Sequence, residues 1–96
     1  MKRKAALTLL GKIKPILMQQ FGVTKLALFG STARDEATET SDVDILVVFD
    51  GFATSERYFG VQFYLEDCLS CPVDLVTDKA LRPQLRPFIE QEAIYV

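Results

Sequence analysis

Three aspartates interrupt otherwise apolar runs. Asp42 and Asp44 open Val43-Asp44-Ile45-Leu46-Val47-Val48-Phe49, and Asp74 lies inside Val73-Asp74-Leu75-Val76. Aspartate is depleted in strands. Residues i and i+2 of a strand project from one face, which sets Asp42 and Asp44 side by side. Neighbouring carboxylates repel unless a cation lies between them, and a buried charge is unfavourable without a partner. If the two runs are parallel neighbours, Asp74 falls near Asp42 and Asp44. Three converging carboxylates suit one or two Mg2+ ions that also bind substrate phosphates. A bare Asp-x-Asp is also a common capping arrangement in loops; the third carboxylate shifts the balance toward a metal site.

Gly30-Ser31 ends a short apolar run and is followed by Arg34. A glycine at such a turn lets the backbone approach a ligand, and successive N–H groups can form an anion-binding nest. The Ser31 hydroxyl can add a hydrogen bond to a phosphate oxygen. On its own a Gly-Ser pair reads as a simple turn, and a lone arginine as a solvated charge.

The chain has no histidine, so Ser/His/Asp and Cys/His catalysis within it are excluded and the commonest zinc ligand is missing. Acid–base and metal chemistry then rest on carboxylates, which favour Mg2+ or Mn2+. Cys68 and Cys71 form a Cys-x-x-Cys pair at an expected helix C-terminus, where the dipole opposes a thiolate. They read as spectators rather than redox or zinc groups.

The elements that must position these residues follow from periodicity and punctuation. Leu7, Leu10, Ile13, Leu17 and Phe21 repeat at helical spacing. Gly11 and Pro15 interrupt them, which predicts two short helices or one kinked helix, stopped at Gly22. Residues 25–29 read as a strand and 31–41 as a polar loop with room for a helical turn. Residues 43–49 read as a central strand. Thr54 or Ser55 is expected to cap a helix running to Leu69, with Tyr58, Val61, Leu65 and Cys68 or Leu69 on its buried face, widened by Phe59 and Phe63. Pro72 ends that helix and starts a third strand, parallel to the second through a helical crossover. The first two strands are expected antiparallel, bringing Ser31 toward Asp42. A helix near Pro83 and Pro87 and an edge strand over 93–96 complete an α/β (α+β) fold, a small mixed β-sheet flanked by helices.

Ninety-six residues are expected to form one domain, 1–96. An apolar fraction of 49% and a charged fraction of 25% are those of an ordinary soluble protein. A net charge of −2 without a basic block gives no reason to expect direct nucleic-acid binding. No apolar segment approaches the roughly 20 residues of a membrane span. The basic start lacks the small-residue cleavage site of a signal peptide, so a cytoplasmic protein without membrane association is expected.

Taken together, Gly30-Ser31-x-x-Arg34, Ser41-Asp42-Val43-Asp44 with an apolar strand after it, and Asp74 in the later strand resemble the minimal nucleotidyltransferases (MNT) of the DNA polymerase beta superfamily. The resemblance spans nearly the whole chain, including the closing Glu90-Gln91-Glu92-Ala93-Ile94-Tyr95-Val96. The combined motif is specific although its pieces are not. One departure is Asp35, where many relatives have glycine after the arginine.

The resemblance implies a nucleotidyltransferase fold and transfer of AMP from ATP to a hydroxyl, with release of pyrophosphate. Asp42 and Asp44 would hold Mg2+ ions, two in all. Asp74 would bind the second and help deprotonate the acceptor. Gly30 and Ser31 would cradle the β- and γ-phosphates, and Arg34 would bind phosphate or brace the loop. Larger relatives carry an additional domain for the acceptor. Small prokaryotic ones are paired with a helical HEPN toxin, whose tyrosine they modify as antitoxin, and such a partner is expected here. A hetero-complex or homodimer would also shelter aromatics near Tyr58, Phe59 and Tyr64. Two competing readings remain: an antitoxin that masks its partner by contact alone, and a small-molecule or RNA nucleotidyltransferase whose acceptor site comes from another chain.

Overall fold

The strand register follows from which residues must leave water. A computed structural model describes residues 1–96. Its elements are α1 (Arg3–Phe21), β1 (Val23–Phe29), α2 (Gly30–Ala33), β2 (Val43–Phe49), α3 (Ser55–Leu69), β3 (Val73–Thr77), a 3-10 turn (Asp78–Ala80), α4 (Arg86–Glu92) and β4 (Ile94–Tyr95). The four strands form one mixed sheet in the order β3-β2-β1-β4. β1 runs antiparallel to both β2 and β4, while β2 and β3 are parallel, as a helical crossover requires.

Alternation along β2 divides the sheet into two unequal faces. Val43, Ile45, Val47 and Phe49 join the main core with Leu10, Leu17, Val61 and Leu65 from α1 and α3. Leu46 belongs instead to a four-residue cluster with Ala27, Phe29 and Leu81 on the other face. Asp44 alternates with Ile45 and therefore shares that thinly covered face with Leu46. α4 covers part of this face through Ile89, packed against that cluster, and Asp44 on it is half-buried.

Of the two forms expected for the first helix, the single element is observed: α1 runs through Pro15, which leaves the Gly11 carbonyl without its usual intrahelical donor. It ends at Gly22, whose φ of 74° is the left-handed cap expected there. Phe59 and Phe63 do not widen the buried face of α3: they are 50% and 62% exposed and stack on each other with centroids 6.2 Å apart. The core stripe is narrower, Val61, Leu65 and Leu69, below a Thr54 cap that accepts the Arg57 N–H. The tail helix begins at Arg86, later than Pro83 suggested, and β4 is the expected edge strand.

A second stripe of α3, Tyr58, Gln62 and Glu66 at four-residue spacing, covers the free edge of β3. Tyr58 Oη donates to the Leu75 carbonyl at 2.5 Å and Gln62 Nε2 to the Val73 carbonyl at 3.3 Å. The Val73 N–H donates to Glu66 Oε2 at 3.1 Å. These side chains occupy backbone groups that would otherwise template another strand. No helix is long and apolar enough to cross a membrane.

Candidate active site

β2 and β3 bring two of the aspartates together. In the parallel register Asp44 is paired with Asp74, as Val43 is with Val73 and Ile45 with Leu75. Paired residues of neighbouring strands share a face, so both carboxylates project from the open side of the sheet. Burial pushes the Asp44 carboxyl up to about 6. The Asp74 charge adds to this, as does the hydrogen bond that protonated Asp44 gives Asp74, followed by the charges of Asp42 and Glu92. Asp42, one residue ahead of β2, is exposed.

Asp42, Asp44 and Asp74 do not form a closed cage: no three acidic or thiol side chains converge tightly enough to enclose a metal ion by themselves. The donor set nevertheless fits Mg2+. Its groups are hard oxygens, and the energetic defect at Asp44 is a half-buried charge beside other carboxylates, which a cation relieves. Mg2+ usually keeps several waters and binds through one or two carboxylates plus substrate phosphates, so an open site is compatible with it.

β1 delivers the loop to the same place. Phe29 is paired with Asp44 across the antiparallel β1–β2 ladder, and the chain then turns into α2. Gly30 has φ of +73°, and a Cβ there would run into the Asp44 carboxylate. Two constraints thus select glycine: a left-handed backbone and contact with a site side chain. Its N–H, however, donates to Glu92 Oε1 at 2.9 Å. The Gly30 amide is therefore already committed, and Ser31 beside it is half-buried.

Arg34 follows α2 and is exposed. Its Nη1 donates to Glu92 Oε2 at 2.9 Å and its Nε to Glu36 Oε2 at 3.3 Å. The hydrogen bond to Glu92, then that to Glu36, holds its pKa above the ordinary value. Asp35 has φ of 60°, which explains a preference for glycine at this position. Its carboxylate accepts the Arg3 N–H at the start of α1, at 3.1 Å. Asp35 is thus tied to α1. Cys68 and Cys71 are free thiols. Burial raises the Cys71 pKa, the opposite of thiolate activation.

A nucleotidyltransferase domain model matches residues 10–96, nearly the whole chain, Asp42, Asp44, Asp74, Gly30, Ser31 and Arg34 included. The chain belongs to the nucleotidyltransferase domain family. This nucleotidyltransferase domain is 39% identical over 83 residues to the protein adenylyltransferase MntA of Thermococcus cleftensis, covering 86% of this chain and 84% of that one. It is 43% identical over 89 residues to a Methanocaldococcus jannaschii protein provisionally named a protein adenylyltransferase, covering 92% and 91%. Among solved structures, one described provisionally as a minimal nucleotidyltransferase superposes with a TM-score of 0.85 at 32% identity, over 98% of this chain and 95% of that one. The fold also matches a chain in a complex of tri-AMPylated Shewanella oneidensis HEPN toxin with MNT antitoxin. There the TM-score is 0.67 at 20% identity, over 94% of this chain and 70% of that one.

Glu92 escaped the reading from sequence. It was visible only as part of the tail motif. The available signal was topological: alternation along β1 aims the Gly30 N–H at the β4 side, where a backbone donor needs an acceptor.

Proposed function

We propose that this protein is a Mg2+-dependent protein adenylyltransferase that moves AMP from ATP to a tyrosine hydroxyl of a HEPN-type toxin and thereby acts as its antitoxin. The observation that carries the proposal is the register pairing of Asp44 with Asp74 beside the Gly30 turn, on the face of the sheet that the main helices leave open. Relatives at about 40% identity that bear the name protein adenylyltransferase support the choice of reaction. In this reading residues 1–96 act as one domain in the cytoplasm.

Asp42, Asp44 and Asp74 would hold the Mg2+ ions, which when bound supply charge neutralisation along the triphosphate. Ser31 hydrogen-bonds the β- and γ-phosphates, and Arg34 adds positive charge beside them. Gly30 has no side chain, which lets the loop lie against Asp44. Asp74, exposed at the edge strand, takes the proton of the attacking hydroxyl. That oxygen bonds to the α-phosphorus as the bond from this phosphorus to its bridging oxygen breaks, and pyrophosphate leaves with the electron pair. The chain's contribution is placement and charge rather than a covalent intermediate, the usual division of labour in phosphoryl transfer.

Intact-mass and peptide mass spectrometry of the HEPN partner after incubation with ATP and Mg2+ tests the proposal. One or more AMP groups on tyrosine are expected, with none in EDTA. An unmodified partner that is still neutralised would establish masking by contact instead. Label on a small molecule or RNA, and none on the partner, would place the acceptor elsewhere.

A further inference from the structure

The two oxygens of Glu92 take two donors from different parts of the loop, the Gly30 N–H and Arg34 Nη1, each at 2.9 Å. Glu92 itself is well anchored. It is the last residue of α4, whose C-terminal turn closes with Ala93 N–H donating to the Ile89 carbonyl, and two residues later Ile94 pairs with Leu28 of β1. The Arg34 backbone N–H donates to the Gly30 carbonyl at 3.1 Å, but its guanidinium is exposed and has only Glu36, 66% exposed on the same loop, as a second carboxylate partner. One carboxylate thus fixes the guanidinium through a charge-assisted hydrogen bond and the turn through a backbone N–H. The Glu92 side chain is 30% exposed, so the clamp is partly shielded from solvent.

We propose that Glu92 is the positioning residue of the nucleotide site: the C-terminal segment sets the orientation of Arg34 and the Gly30-Ser31 turn for the triphosphate. The inference rests on the functional reading above, in which Ser31 and Arg34 face phosphate. Glu92 touches no reacting atom in this role; it acts through Arg34. Without it, Arg34 must be ordered anew each time ATP binds, which weakens binding more than it slows chemistry.

Glu92→Gln tests this selectively. The amide oxygen can still accept the Gly30 N–H, while the amide nitrogen faces the guanidinium and cannot accept from it. About a tenfold rise in KM for ATP is expected, with a smaller change in kcat and an unchanged melting temperature. Arg34→Lys keeps the charge but loses the fork geometry, and should show the same rise. The Glu92→Gln/Arg34→Lys double variant should be no worse than Arg34→Lys alone, because one residue works through the other. Calorimetric titration with MgATP gives the same comparison without turnover. Wild-type KM and MgATP affinity in Glu92→Gln, or independent effects that multiply in the double variant, would overturn this inference alone. A wild-type protein that neither binds MgATP nor transfers AMP would overturn the functional reading and this inference with it.

Discussion

At the scale of single residues, charge and close approach govern the site. Asp44 has a folded-state pKa of about 6 against an ordinary 3.8. An acid whose pKa is raised on folding favours the native state most below its unfolded value, and that contribution is lost as pH rises through the folded one. Metal-free protein should therefore lose stability from this group between about pH 4 and pH 6. Urea unfolding in EDTA checks the sign: Asp44→Asn should flatten the slope in that window, and an unchanged slope would contradict the assignment. Added Mg2+ should raise the melting temperature more at pH 7 than at pH 5, since protons compete for the same carboxylates. Gly30→Ala places a methyl group against the Asp44 carboxylate in a left-handed backbone. A loss of roughly 1–3 kcal/mol is expected, together with most of the activity. A variant as stable as wild type would show that the turn tolerates a side chain.

At the scale of elements, α3 carries two stripes with different tasks. Val61, Leu65 and Leu69 face the core, while Tyr58, Gln62 and Glu66 cover the β3 edge. Leu65→Ala should cost about 2–5 kcal/mol, whereas Phe63→Ser, at a 62% exposed position, should stay within about 0.5 kcal/mol. Equal losses in chemical denaturation would mean that Phe63 belongs to the core after all. Tyr58→Phe removes the hydroxyl that meets the Leu75 carbonyl and should cost roughly 1 kcal/mol. The aromatic reading erred because Phe59 and Phe63 are apolar enough to suit a core, yet α3 packs against only one sheet face. β1, β2 and β3 were legible from alternation, Gly30, Pro72 and the parallel crossover. For α1 the sequence left one helix and two both open, because the penalty at Pro15 is local while the burial of Leu10, Ile13 and Leu17 acts along the whole helix.

At the scale of the whole molecule, residues 30, 44, 74 and 92 are far apart in sequence and meet through sheet topology. Asp44 and Asp74 could be paired in advance because a strand–helix–strand crossover makes the two runs parallel and each carries its aspartate directly after a valine. Glu92 could not, since it meets the loop only once β4 has closed the other side of β1. The site face carries only the small cluster of Ala27, Phe29, Leu46 and Leu81, with Ile89 of α4 packed on it, whereas the α1–α3 face holds the main core. The central claim is that the paired carboxylates serve chemistry rather than stability. Asp74→Asn separates these roles, because it removes a charge that burdens Asp44 while leaving the fold intact. The decisive measurement is the rate of AMP transfer from radiolabelled ATP to the HEPN partner by this variant, alongside its melting temperature. The account predicts a fall of at least about a thousandfold with a melting temperature equal to or above that of wild type; transfer at the wild-type rate would contradict it.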